Sequence, residues 1–332
     1  MDIITQGLLG GVLGQSVARK GEKRIATLVG VLSGMLADAD VLIQSSSDPL
    51  LNIEYHRHFS HALIFIPVGA LIAALLLWPL LRKRLLFSRI YLYALAGFSL
   101  SGILDACTSY GTHLLWPFSD ERIAFHIISI VDPVFTLLLF LGLVFGLRMQ
   151  ARPFARYALL LAVAYMGLGF MQMQRAELEA AELATSRGHV PVKAVVKPTM
   201  GNLLLWRSVY IYHSRIYVDG VRVSPAGQTK IYPGSSVELF DPLRAFPELE
   251  RDTVLYGDIE RFVRFSDGYV SAHPEYPDVL GDIRYSMLPT SVSPLWGIVM
   301  DRKNPLLHVD YRFYRQMTMK DREGFKRMIF GN

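Results

Sequence analysis

The sequence predicts a mainly α membrane domain of about five transmembrane or re-entrant helices, followed by a small α+β soluble domain. Hydrophobic residues make up 52% of the 332 residues, and the mean hydropathy is +0.30. The hydrophobicity is uneven, because residues 1–174 are apolar with polar interruptions, whereas residues 175–332 have mixed charges and many tyrosines. We therefore expect two domains with a boundary near residue 174.

Apolar segments of about 20 residues, the length that a bilayer core requires, recur through the first domain. They are residues 24–43, 62–81, 91–111, 127–147 and 154–174. The first of them is rich in glycine and alanine and contains two aspartates, so it is expected either to span or to re-enter the membrane. The N-terminal residues 1–15 lack the basic start of a cleavable signal peptide and are expected to pack beside it as a half-helix.

The basic residues of the short connections predict the orientation of these segments. Eleven lysines and arginines lie in the connections at 19–24, 82–89 and 148–156, whereas the other two connections contain only Arg57 and Arg122. Because basic connections stay in the cytoplasm, five alternating spans place the C-terminal domain on the outer side. The same alternation brings the acidic and histidine residues described below to the outer face.

Composition argues against other classes of protein. The net charge of +5 is modest, and no block of lysines and arginines alternates with aromatic residues, so nucleic acid is not an expected partner. The single cysteine, Cys107, makes no internal disulfide and no thiolate metal site, and is expected to be a packing residue rather than a nucleophile. Membrane lipid and a small-molecule or lipid substrate are the expected partners, while the oligomeric state stays open.

Three histidines, His56, His58 and His61, lie within six residues just before the span 62–81. Neutral imidazole is a ligand for zinc, copper, iron and nickel. If Ser60 caps the following helix, His61 lies in its first turn and His56 reaches in from the loop. The alternative interpretation is an interfacial loop whose histidines face water.

A pair of aspartates, Asp38 and Asp40, ends the first long segment. Residues two apart do not share a helix face, so the helix is expected to end near Ala37, with both carboxylates turned toward one site. Carboxylates are ordinary ligands for zinc and manganese. Simple termination of the helix at the lipid headgroups is the alternative.

Three further residues complete the set of candidates. Asp105 lies five residues inside the outer end of its predicted span and needs a partner, either a metal or a histidine. His113 follows that span, and we favour a position at the membrane interface for it over a role as a metal ligand. Asp132 precedes Pro133 and is either a ligand or the N-cap of a helix.

Taken together, four separate segments bring acids or histidines to one face of the membrane. Such a site would hold one or two divalent ions, lower the pKa of a bound water and polarise a phosphoryl or carbonyl oxygen. Two alternatives stay open. One is a non-catalytic membrane protein that binds a metal or lipid headgroup structurally, and the other is a transporter that uses the buried acids as a cation or proton relay.

At these residues the chain resembles the bacterial membrane-bound metal-dependent hydrolases of the YdjM-like family. The patterns that carry the resemblance are HR-x-x-SH at 56–61, LD-x-x-TSYGT-x-LLWPF at 104–118 and DP-x-x-T at 132–136. Residues 197–211 look like the start of the extra domain of a long subgroup. The resemblance is good over residues 1–150 and implies a multi-pass protein of the bacterial inner membrane.

The resemblance implies a divalent metal centre, with zinc first and manganese or magnesium as alternatives. The implied ligands are His56, His61, Asp38, Asp40, Asp105 and Asp132, with His113 as an additional candidate. One of the aspartates Asp38, Asp40 and Asp105 would serve as the general base. A distant likeness to zinc-dependent phospholipase C and single-strand nucleases implies a phosphodiester or phospholipid-like substrate.

The sequence departs from the family pattern at two positions. Ser101 stands where the family usually has a histidine, and Ala37 stands where it usually has a proline. Either His113 or His58 replaces the missing imidazole, or the site is degraded and the protein is not an enzyme.

The C-terminal domain begins with a strong helix-forming segment, residues 175–188, which is expected to continue the last span. Short strands follow, and Asp219-Gly220 is predicted to be a hairpin turn. Helices are expected within 243–263 and 317–330. The histidines of this domain are scattered and are expected at surface or strand positions rather than at a metal.

Overall fold

The computed structural model describes residues 1–149 and 152–331, which form two compact units. The first unit is made of residues Met1–Ile43, Tyr55–Met171 and Met200–Asn202. The second unit is made of Gln44–Glu54, Gln172–Thr199 and the residues from Leu203 onward. The short segment 44–54 thus belongs to the second unit, although helices of the first unit flank it in the sequence.

Among the described residues, the regular elements up to residue 186 are helices, whereas strands and helices are mixed afterwards. In chain order the helices are α1 (Ile3–Val17), α2 (Lys23–Leu36), α3 (Leu50–Tyr55), α4 (Ile66–Leu81), α5 (Phe87–Phe98), α6 (Ser101–Ala106), α7 (Pro133–Arg148), α8 (Arg152–Ser186), α9 (Pro242–Ala245), α10 (Val254–Phe265) and α11 (Met319–Phe330). Short 3-10 helices cover Ala37–Leu42, Phe59–His61 and Leu63–Phe65. The predicted class, a helical membrane domain followed by a small domain with β-sheets, is confirmed.

Among the residues that the structure describes, four helical stretches are long and apolar enough to cross a membrane. They are Lys23–Leu42, Leu63–Leu81, Phe87–Ala106 and Pro153–Ser186. Most leucines of the second stretch are exposed, with Leu76 at 63% and Leu80 at 77%, as expected of side chains that face lipid rather than a protein core. Two shorter apolar helices, α1 and α7, accompany them.

The predicted span 127–147 is wrong in its first part, because α7 begins only at Pro133. Its 16 residues extend about 24 Å, less than the roughly 30 Å of a bilayer core. Ile127 and Ile128 instead donate their amides to the carbonyl of Cys107, 2.9 and 3.2 Å away. Backbone pairing with residues 107–108 therefore keeps this stretch out of the helix.

The predicted span 91–111 also ends early. α6 stops at Ala106, so Asp105 is the penultimate residue of its helix rather than a residue five positions inside it. The amides of Phe125 and Ile127 bond to the carbonyls of Ala106 and Cys107, which ends the helix and begins an irregular connection.

Glycines allow the first helices of the chain to approach each other closely. A Cβ on Gly30 of α2 would lie 2.2 Å from the carbonyl oxygen of Gly10 in α1, and a Cβ on Gly97 of α5 would lie 2.5 Å from that of Gly30. Small residues at such contacts are typical of helices that pack within membranes. The close contacts bring together the ends of α2 and α5 and thus the segments that follow them.

The described residues of the second unit contain two antiparallel sheets. The first has the order β1 (Lys193–Pro198), β2 (Leu205–Tyr212), β3 (Arg215–Val223) and β4 (Thr229–Tyr232), with β5 (Ser236–Glu238) also paired to β3. The second has the order β6 (Val270–Ala272), β7 (Val279–Asp282), β8 (Trp296–Val299) and β9 (Asp310–Phe313). The C-terminal part of α8 packs against the first sheet through Ala176 and Ala180, which contact Trp206 and Val221.

The prediction that residues 175–186 continue the last span as a helix is confirmed by α8. The predicted hairpin turn at Asp219-Gly220 is wrong, because both residues lie within β3. The turn falls instead at His213 and Ser214, whose φ angles are 44° and 57°. Buried Asp219 accepts hydrogen bonds from the guanidinium of Arg187 at 2.7 and 2.8 Å. This distant partner outweighs the local turn preference.

We predict that Gly30→Ala destabilises the first unit. The added methyl group meets the backbone of α1, which cannot move aside as a flexible side chain can, so the free energy of unfolding should fall by roughly 1–3 kcal/mol. Denaturant titration in detergent micelles measures this change. Gly167→Ala in α8 is the matched control, because its Cβ would meet nothing within 4 Å. Equal stability of the two variants would contradict the packing described here.

Candidate metal centre

The two aspartates at the end of α2 lie on a tighter helical turn. The α-helix ends at Leu36 and continues as the 3-10 helix Ala37–Leu42, close to the end predicted from the sequence. Asp38 and Asp40 are both buried in this turn. The two carboxylates contact opposite ring nitrogens of His61, with Asp38 near Nε2 and Asp40 near Nδ1.

Asp38 and Asp105 converge on His61. His61 lies in the 3-10 helix Phe59–His61, and its Nε2 is 2.8 Å from Asp105 Oδ2 and 3.3 Å from Asp38 Oδ1. One ligand atom from each of the three residues lies within 4.8 Å of the other two, and all three residues are buried. We call these three residues the Asp–His cluster.

The ligand atoms of the Asp–His cluster lack regular hydrogen bonds. Within residues 1–149 and 152–331, Asp38 Oδ1, His61 Nε2 and Asp105 Oδ2 are buried atoms without an aligned hydrogen-bond partner, despite their proximity to one another. Buried polar atoms of this kind are rare in folded proteins and point to a missing partner. Two carboxylates and one imidazole form a donor set that suits zinc or a similar divalent ion, so the residues present fit such an ion.

Asp40 and His56 lie beside the Asp–His cluster rather than in it. Asp40 Oδ2 is 3.2 Å from His61 Nδ1 and accepts a hydrogen bond from Ser60 Oγ at 2.5 Å. His56 Nδ1 is 2.9 Å from the other oxygen of Asp40. A carboxylate on Nδ1 favours the tautomer that leaves the Nε2 lone pair directed at an ion. The structure thus places Asp40 where it orients His61.

The carboxylate of Asp132 caps the N-terminus of α7. Its Oδ1 accepts hydrogen bonds from the amides of Val134 and Phe135 at 3.1 and 3.0 Å, as expected of an N-cap. Its Oδ2 accepts a hydrogen bond from the hydroxyl of Tyr165 at 2.9 Å. Asp132 is not part of the Asp–His cluster. Its geometry is that of a helix N-cap, the alternative interpretation given above.

His113 and His58 lie together rather than against the cluster. Their ring centroids are 4.5 Å apart, and neither residue belongs to the group of ligand atoms around His61. Burial, with smaller contributions from Arg122 and His58, lowers the pKa of His113 to about 4, so this imidazole is neutral at physiological pH. Ser101 is buried one helical turn before Asp105, the position from which a histidine would share its helix face.

Arg57 is the residue that sequence reasoning missed. It was considered only as one of two basic residues in the outer connections, yet it is 3% exposed. Its guanidinium lies 3.3 Å from Asp105 Oδ1 and donates to Thr108 Oγ1 at 3.2 Å, while the amino group of Met1 also contacts Asp105. The signal in the sequence was an arginine between two histidines at the edge of a span.

A second group of acids and histidine in the second unit is already neutralised. Asp48, Asp258 and His308 also lie within ligand distance of one another. The guanidinium of Arg261, however, is 3.0 Å from Asp48 and 2.8 Å from Asp258. Because an arginine supplies the positive charge there, this group is a salt-bridge network rather than a comparable metal centre.

Comparisons with known proteins concern mainly the helical part of the chain. The family model described as YdjM inner membrane protein matches residues 1–176. The inner membrane protein YbcI of Escherichia coli (strain K12) is 34% identical over 95 residues, which is 28% of this chain and 54% of that protein. The chain therefore spans about half the length of this relative. No solved structure matches the chain significantly.

We predict that Asp132→Ala lowers stability without lowering metal content. Loss of the cap leaves the first amides of α7 unsatisfied and should cost about 1–2 kcal/mol. Asp132→Asn, which can still cap the helix, should recover most of that loss. Denaturant titration and elemental analysis of the same preparations measure both quantities. Loss of metal in Asp132→Asn with unchanged stability would contradict the capping role.

Proposed function

This chain belongs to the YdjM inner membrane protein family, and from that premise we propose that it is a membrane-bound metal-dependent hydrolase. The observation that supports the proposal is the buried Asp–His cluster, whose three ligand atoms lie within 4.8 Å of one another. Its donor atoms have the chemistry of a site for zinc, with manganese or magnesium as alternatives.

The balance of buried charge supports a divalent ion. Asp38, Asp40 and Asp105 are buried carboxylates, and Arg57 is the buried guanidinium beside them. The amino group of Met1 also contacts Asp105, and burial lowers the pKa of this amine well below its ordinary value. The three carboxylates outnumber the one guanidinium, and a divalent cation would offset the remaining negative charge. An uncompensated excess of this kind is costly in an apolar environment.

The residues suggest a division of roles within the site. A bound divalent ion would supply Lewis-acid chemistry by lowering the pKa of a water and polarising a phosphoryl or carbonyl oxygen. The Asp38 side chain is 9% exposed, whereas those of Asp40 and Asp105 are fully buried. We assign Asp38 the role of general base, since a base must reach the water that it deprotonates. Asp40 and Ser60 hold the His61 ring in place.

The position of the cluster in the sequence suggests which face of the membrane it occupies. Asp38 lies near the end of the stretch Lys23–Leu42, His61 just before the start of Leu63–Leu81, and Asp105 near the end of Phe87–Ala106. Three successive crossings place these three ends on one face, opposite the basic residues 82–84. The positive-inside rule makes that face the outer one, so a lipid headgroup or a small molecule at the bilayer surface is the substrate that we propose.

A phosphodiester or phospholipid-like substrate is the class proposed, by analogy with the zinc-dependent phosphoesterases named above. A non-catalytic metal or headgroup site is the second candidate. One observation favours it, because Ser101 occupies the position where the family usually has a further imidazole. Hydrolysis assays with phosphodiester and phospholipid substrates, with and without chelator, distinguish the two candidates.

We predict that His61→Ala and Asp105→Asn each reduce bound metal at least tenfold while leaving membrane insertion intact. Removing one ligand of a structural or catalytic ion weakens binding strongly, since the remaining carboxylates no longer enclose it. Elemental analysis of purified protein measures retention. His213→Ala in the exposed turn of the second unit is the matched control and should bind metal normally. Full metal content in a His61→Ala/Asp105→Asn double variant would remove this cluster from consideration.

We predict that the C-terminal domain lies outside the cytoplasm. An alkaline phosphatase reporter fused to the C-terminus should be active, because this enzyme matures only after export. The same reporter fused after Arg84, in a basic connection, should be inactive. An inactive C-terminal fusion, together with fluorescence of a cytoplasmic reporter at that position, would reverse the proposed orientation of the domain.

A further inference from the structure

Two arginines of the first unit converge on one tyrosine beside the Asp–His cluster. The guanidinium carbon of Arg57 lies 5.2 Å from the centroid of the Tyr110 ring, and that of Arg122 lies 4.8 Å from it. Arg57 is almost fully buried, while Arg122 and Tyr110 are half-buried. Arg57 and Arg122 are also the only two basic residues of the two outer connections defined above.

The backbone of two connections holds this arrangement together. Thr112 pairs with Ile123 through hydrogen bonds of 3.0 and 2.9 Å, which places Arg122 beside the segment that contains Tyr110. The carbonyl of Arg57 accepts hydrogen bonds from Thr112 Oγ1 at 2.9 Å and from the amide of His113 at 3.2 Å. The loop that carries the histidines and the loop after α6 are therefore one assembled structure.

The backbone of Arg57 adopts an unusual conformation. Its φ of 61° lies in the left-handed region, which costs free energy for a residue other than glycine. Its amide donates to Asp40 Oδ2 at 2.8 Å, and its guanidinium lies 3.3 Å from Asp105. Among the residues that the structure describes, the buried Nε of Arg57 has no hydrogen-bond partner. Strain, burial and an unused donor at one residue are typical of a binding site rather than of a simple ion pair.

Guanidinium groups suit one class of ligand in particular. Their planar arrangement of donors matches the oxygens of phosphate, to which arginine binds with two parallel hydrogen bonds. A neutral ester or amide carbonyl needs no fixed positive charges beyond those of a metal centre. Arg57 already offsets part of the negative charge of the buried carboxylates, so Arg122 supplies the additional positive charge that complements a phosphate ester.

We infer that Arg57, Arg122 and Tyr110 form a recognition site for the phosphate group of a substrate, adjoining the Asp–His cluster. The role that we infer for this site rests on the proposed function, because the site would position a phosphoryl group for hydrolysis. Phosphate binding itself does not depend on that function. Arg57 connects the two sites through its contact with Asp105. Arg122, which is more exposed, meets the ligand from the side of the connection 111–125.

The test measures binding of phosphate by the full-length protein in detergent after treatment with chelator, so that bound metal does not contribute. Inorganic phosphate is the soluble probe, and phosphatidic acid is compared with diacylglycerol as the lipid probe. Arg122→Met should raise the Kd for phosphate about tenfold or more, the effect of losing one charge-assisted hydrogen bond. Arg122→Lys should recover only part of the affinity, because lysine lacks the planar pair of donors.

Arg84→Met, in a basic connection away from the site, is the matched control for net charge and should leave the Kd unchanged. Preference for phosphatidic acid over inorganic phosphate would assign the site to a lipid headgroup, and the reverse would assign it to a soluble ester. Unchanged phosphate affinity in Arg122→Met, or equal losses in Arg122→Met and Arg84→Met, would overturn the inference. So would a parent protein that binds neither phosphate nor phosphatidic acid.

Metal analysis of the same samples separates this inference from the proposed function. Arg122→Met should retain the metal content of the parent protein, since Arg122 is not among the grouped ligand residues. A parent protein without metal, but with arginine-dependent phosphate binding, would refute the hydrolase and leave the phosphate site standing. A metal-loaded protein that hydrolyses carboxylic esters independently of Arg122 would refute the phosphate site alone.

Discussion

The cost of burying carboxylates in an apolar helical unit governs the first half of this molecule. Asp105 is fully buried at the end of a stretch capable of crossing a membrane, and Asp38 and Asp40 are nearly as inaccessible. Each of them must therefore be compensated by a cation, a hydrogen-bond donor or a bound ion. The partners found nearby, Arg57 and His61, come from a single loop between two of these stretches.

Close packing of the helices around the site brings their ends together. The glycine contacts between α1, α2 and α5 shorten the distances between helix axes, so the segments that follow α2 and α5 meet over one small volume. Short 3-10 helices at Ala37–Leu42 and Phe59–His61 then turn the side chains inward. The close packing of these helices and the convergence of the segments that follow them are two consequences of the same small residues.

Many features of the fold and the site could be predicted from the sequence. Apolar segments of membrane length, the mixed, soluble composition of the second half and the continuation of the last span into α8 are properties of composition and local preference. Asp38, His61 and Asp105 were candidates because ionisable residues in or next to apolar segments are expensive wherever the chain puts them. Which residues are costly to bury is thus a local property of the sequence.

The choice of partner for each costly residue was decided by tertiary structure. Asp40, equivalent to Asp38 in the sequence pattern, lies on the far side of His61, and Asp132 satisfies the amides of α7 and the hydroxyl of Tyr165. Asp219 lies within a strand rather than in the predicted turn, because its carboxylate pairs with Arg187 of the second unit. Arg57 contacts Asp105 beside the Asp–His cluster, although in the sequence its charge bore only on the orientation of the helices in the membrane. Sequence determines which groups must be compensated, but only the meeting of distant helix ends and loops determines which cation, amide or hydroxyl compensates each of them.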